Sequence, residues 1–204
     1  MTSTATVDRS EFRHVLVSGT IVGAITAASV IVYLLVARLL PPGILTSLIE
    51  AVIVLVGGVC ATFLPAAFAT SRSVQGIASA AAIGLWGTIV FMAVDIILLR
   101  PFKAYPWTWD AVAGGSTWWY LPVWWMLGTF LAWMGGVVTA GRAARGGDVA
   151  VPALALPVIV GAALLALVAS LVKLHIYLPV AAGGGFAIAL TVLALVALTR
   201  KGSA

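Results

Sequence analysis

Charged side chains are nearly missing from this 204-residue chain: Asp, Glu, Lys and Arg together make up 8% of it, against roughly 25% in ordinary soluble domains. A water-facing surface cannot be assembled from so few charges. Hydrophobic residues reach 63%, and lipid is the solvent in which such a composition is stable. Cysteine occurs once, as Cys60, which excludes an intramolecular disulfide. The two histidines, His14 and His175, are far apart and neither has a Cys or second His at ligand spacing, so a zinc-type centre built on them is not expected. Basic stripes are absent as well. The net charge of +5 is spread singly or in pairs at the ends of apolar runs, whereas a nucleic-acid surface needs clustered cations that displace many counterions together.

The fingerprints of catalysis are equally scarce. No P-loop, dinucleotide-binding glycine pattern, paired His-Glu metal motif or nucleophile elbow occurs. Gly183-Gly184-Gly185 follows no strand and has no Lys-Ser or Lys-Thr after it, and neither Ser116 nor Ser170 has an evident base. No cofactor is expected, and a membrane enzyme ranks third among the function classes considered.

What the chain does have is long apolar runs. Six segments are free, or nearly free, of ionisable residues: about 15–37, 44–70, 73–99, 121–140, 151–172 and 176–199. Each is near the 20 or so residues that carry a helix across the hydrocarbon core. They are expected to be helices, because a spanning segment must satisfy its backbone groups internally, and the alternating pattern of barrel strands is missing. The first run is too long for the hydrophobic region of a secretory signal. The expected fold class is therefore an all-α integral membrane protein, a bundle of about six transmembrane helices forming a single transmembrane domain over residues 1–204. A cytoplasmic N-terminal tail would occupy 1–13, and a Trp-rich outer loop 100–120 would join helices three and four. Pro65 and Pro157 lie inside spans, predicting kinks near Ala61 and Ala153. With a cytoplasmic N-terminus the inner side collects Arg9, Arg13, Arg72, Arg142, Arg145, Arg200 and Lys201, and the outer side Arg38, Arg100, Lys103 and Lys173; this bias predicts both termini inside.

Between apolar helices in lipid, close approach depends on small residues at fourfold spacing. Gly19, Gly23 and Ala27 form such a ridge in the first span, Gly76, Ala80, Gly84 and Thr88 in the third, and Gly128, Ala132, Gly136 and Ala140 in the fourth. These faces should meet other helices of the chain or of a partner.

Seven of the eight tryptophans fall between Trp107 and Trp133. Indole pairs an apolar body with one donor and suits the membrane boundary. Such density also fits a lid over an outward-facing cavity, or a docking surface for another membrane subunit.

Glu50 and Asp95 interrupt the second and third spans, where a carboxylate is costly and faces a bundle interior or wet cavity. At about 1.5 Å per residue they lie roughly 10 and 7 Å below the outer boundary. Arg38, Arg100, Asp110, Lys173 and His175 gather at the same edge, with Trp107 and Trp109 in the loop above. These nine residues are the candidate binding set. Two arrangements are open. In one, Asp95 pairs with Arg100 or Lys173 and Glu50 with Arg38, closing a salt-bridged rim. In the other, both carboxylates face a shared polar pocket for a cation or small polar solute, with short-armed Asp95 the more important of the two. The first function expected is small-solute or cation transport or binding. The alternative is a non-catalytic accessory subunit that meets other membrane subunits through the Trp-rich loop or the small-residue faces. The lipid bilayer is the one partner common to both.

Overall fold

The computed structural model describes the backbone of residues 4–101 and 120–199, and the side chains of residues 11–101 and 122–199. Six helices follow one another: α1 (Thr4–Leu39), α2 (Ile44–Phe68), α3 (Val74–Val94, continued by a π-helical turn Asp95–Leu99), α4 (Tyr120–Ala143), α5 (Val151–Leu171) and α6 (Leu178–Thr199). No strand occurs among the described residues. All six are long and apolar enough to cross a membrane. Even the 21-residue α5 is about 30 Å long, the thickness of the hydrocarbon core. Helix α1 begins at Thr4, so the segment expected as an N-terminal tail is helical over most of its length.

Helices α2 and α5 are continuous through Pro65 and Pro157, and α6 through Gly183-Gly184-Gly185. Hydroxyl side chains are kept from lipid by donating to their own backbone one turn back, as Thr26 does to Val22, Thr88 to Gly84 and Thr139 to Gly135. Ser73 caps α3 by accepting the Gly76 N–H at 3.2 Å, the standard remedy for an orphan amide at a helix start. The turn before it holds Thr70 at φ 44, and the turn between α5 and α6 holds Lys173 at φ 58.

Helix α2 touches all five others, while α1 packs on α3, α3 on α4, α4 on α6 and α6 on α5. The small-residue ridges explain these pairings. A side chain at Gly84 would collide with Ala132, and one at Gly128 with Thr88, so the ridges of α3 and α4 interlock. On another face of α3, Trp86 stands where a side chain at Gly19 of α1 would have to go, and Gly87 and Val90 where one at Gly23 would. Gly135 lies against the Thr62 carbonyl of α2, and Gly141 against Ala197 of α6. The ridges are therefore used inside the chain. Around them, Phe63, Leu154, Val158, Phe186 and Leu190 form the main core, and Ala27, Phe91 and Met92 a smaller one. Phe91 meets Trp124 edge to face, with ring centres 5.5 Å apart.

Candidate functional site

The up-and-down order of the helices brings Arg38, Glu50, Asp95, Arg100, Lys173 and His175 to one end of the bundle. Asp95 and Arg100 meet. Arg100 donates from Nε to Asp95 Oδ2 at 3.1 Å, with the Asp95 side chain fully buried and that of Arg100 23% exposed. In a regular α-helix, residue 100 would be rotated about 140° from residue 95. The π-turn, closed by the Arg100 N–H on the Asp95 carbonyl, widens the helix and brings the guanidinium round over the carboxylate.

Glu50 behaves differently. It sits in the second turn of α2 and is 2% exposed, yet its carboxylate accepts a hydrogen bond from the hydroxyl of Tyr177, just ahead of α6. Tyr33 of α1 stands close enough to interact with both. Among the described residues the ion pair is that of Asp95 with Arg100; the expected pairing of Glu50 with Arg38 does not form. The hydrogen bond to Glu50, followed by burial, holds the Tyr177 phenol well above its ordinary pKa. Stability supplied by that proton is thus fully present below about pH 10 and is lost only above it.

Lys173 and His175 are exposed in the turn between α5 and α6, and Arg38 is exposed in the last turn of α1. Trp107, Trp109 and Asp110 lie outside the described residues, as does the rest of the 102–119 segment. A cavity of about 60 Å³ between α1, α2, α3 and α4 is lined by Thr26, Thr88 and Trp124 among others, and by neither carboxylate. No group of three or more His, Cys, Asp or Glu fit to hold a metal occurs among the described residues.

Tyr177 and Tyr33 were not among the candidates read from sequence. Each stands near a span boundary at about the depth of Glu50, where a phenol reads as an interfacial anchor. Their meeting depends on α1, α2 and α6 converging, which no local pattern announces.

No family model matches the chain, and neither the curated proteins nor the solved structures provide a match. The class rests on the fold itself: an all-helical, multi-pass membrane protein with a carboxylate-bearing end.

Proposed function

We propose that the protein binds or transports a cation or small polar solute at the end of the bundle that carries Glu50. One observation supports this above the others: a buried carboxylate meets a phenol rather than a cation. A carboxylate removed from water needs a countercharge, a proton or several donors, and Asp95 has its guanidinium whereas Glu50 does not. Tyr177 is 50% exposed and precedes α6 in a short turn, so its displacement would open Glu50 to the aqueous side. This moves the emphasis from Asp95 to Glu50. The Glu50 end faces, in this reading, the side opposite both termini, and the Lys and Arg bias assigns the termini to the cytoplasm.

A melting series on the purified protein across cations and pH tests the proposal, because a ligand that binds only the native state raises Tm. Wild type is expected to gain stability with at least one cation below about pH 10, where the Tyr177 proton stays in place. Glu50→Gln should abolish that response. Tyr177→Phe should keep it, since the carboxylate remains. A wild-type Tm indifferent to every cation would overturn the proposal.

A second reading, the accessory subunit, draws on α4, where Trp125 and Trp133 stay 41% and 46% exposed two turns apart. Stoichiometric partners retained through mild-detergent purification would favour it.

A further inference from the structure

At the opposite end of the bundle, α1 runs past the turn that joins α2 to α3 and leaves a groove of about 480 Å³. We propose that this groove binds a primary ammonium group. It lies apart from Glu50 and does not depend on the function proposed above.

The first support is the gathering of scarce side chains. The chain has no Asn, one Gln, two Glu and two His. The groove is lined by that Gln, Gln75, together with Glu11 and His14, and by the hydroxyls of Thr70, Ser73 and Ser79. In a protein this apolar, such a concentration on one concave surface is not what random placement of polar residues at a membrane edge would give. The volume falls within the range of roughly 300 to 1,000 Å³ typical of small-molecule sites.

The second support is rigidity. His14 places Nε2 3.0 Å from the Phe68 carbonyl; a carbonyl only accepts, so Nε2 donates and Nδ1 of the neutral ring is left as an acceptor. Below it, the buried Ser71 hydroxyl donates to the Gly76 carbonyl at 3.1 Å. A side chain at Gly76 would press on the Ala69 and Thr70 carbonyls. The floor is thus fixed before any ligand arrives.

The chemistry of the lining selects the ligand. Glu11 is the one charged side chain of its lining, so the lining itself supplies an anion. Its other polar groups can all accept hydrogen bonds. A primary ammonium brings one positive charge and three N–H donors to such a set. A quaternary ammonium brings the charge and no donor. A metal ion would find one carboxylate and one imidazole, too few for a site. The groove sits where the spans starting at Glu11 and Val74 and ending at Phe68 reach the membrane boundary, so the ammonium can come from an aminophospholipid headgroup or from a soluble amine.

The test is the melting temperature of the full-length protein in detergent, titrated with short-chain phosphatidylethanolamine, with matched phosphatidylcholine and with free ethanolamine. Saturable stabilisation by at least one primary amine, with none from phosphatidylcholine, is expected. A response to phosphatidylethanolamine but not ethanolamine assigns the lipid headgroup; a response to ethanolamine assigns a soluble amine. Glu11 is exposed, so Glu11→Gln leaves the fold intact and should weaken the binding about tenfold, the loss expected for one charge-assisted hydrogen bond. Equal stabilisation by both lipids, no response to any amine, or an unchanged response in Glu11→Gln would overturn the site.

Discussion

Ala132→Leu should lower the stability of the purified protein by about 1 to 3 kcal/mol, the usual range for overpacking a close-packed interior. Ala132 is fully buried and faces Gly84 of α3 across a contact that leaves no room for a side chain on the glycine. Three added carbons must push α3 and α4 apart. Helix association in lipid draws on van der Waals packing more than on any hydrophobic drive, so separation also weakens every contact along the ridge, including that of Gly128 with Thr88. Gly135→Leu should be at least as damaging, because the obstacle there is the Thr62 carbonyl of α2, and backbone yields less readily than a side chain. Leu164, 57% exposed on α5, provides the control: Leu164→Ala should melt within about 0.5 kcal/mol of wild type, as surface substitutions do. Thermal melting in one detergent compares all three, and wild-type melting by Ala132→Leu and Gly135→Leu would mean that these faces look at lipid.

Asp95→Asn is the second large effect. Removing one partner of a buried ion pair costs about 3 to 5 kcal/mol; Arg100 keeps 23% exposure, which brings the expectation to about 2 to 3 kcal/mol. The amide can still accept a hydrogen bond from Arg100 but cannot neutralise it. Replacing both residues, as in Asp95→Leu with Arg100→Met, removes the charge together with its countercharge and should recover most of the lost stability, since apolar replacements of buried pairs are often neutral. A double variant as unstable as Asp95→Asn would show that the π-turn, rather than the ion pair, depends on Asp95. The cation response assigned to Glu50 should survive in Asp95→Asn, which separates the structural carboxylate from the binding one.

The spans were legible because lipid imposes a length and a composition that soluble folds do not. Val15 to Ala37 or Val151 to Val172 can hardly be anything but spanning helices. The ridges were legible for a related reason: a glycine such as Gly84 weakens a helix, and what it offers in return is closeness to a neighbour. Other features were hidden. Helix α1 continues back to Thr4 past Glu11 and Arg13, because charges mark where the membrane ends and do not end a helix. No glycine or proline lies within the π-turn itself; its traces are Pro101, which ends the helix just after Arg100, and the five-residue separation of Asp95 from Arg100, a spacing that puts the two groups on different faces of an α-helix. Glu50 was visible as an oddity, but its partner was not. By charge and depth Arg38 is the natural choice, whereas Tyr177 reaches it through the meeting of α2 with α6, a tertiary fact without a local signature.

Six crossings would set the Glu50 end and the His14 end on opposite faces of the membrane. Single cysteines introduced into a Cys60→Ala background at Gly43, Lys173 and Gly147, and probed with a membrane-impermeant thiol reagent in right-side-out and inverted vesicles, test this directly. Gly43→Cys and Lys173→Cys should label from the outer face and Gly147→Cys from the cytoplasmic face. Labelling of Gly43→Cys and Gly147→Cys from the same face would contradict the six-crossing arrangement.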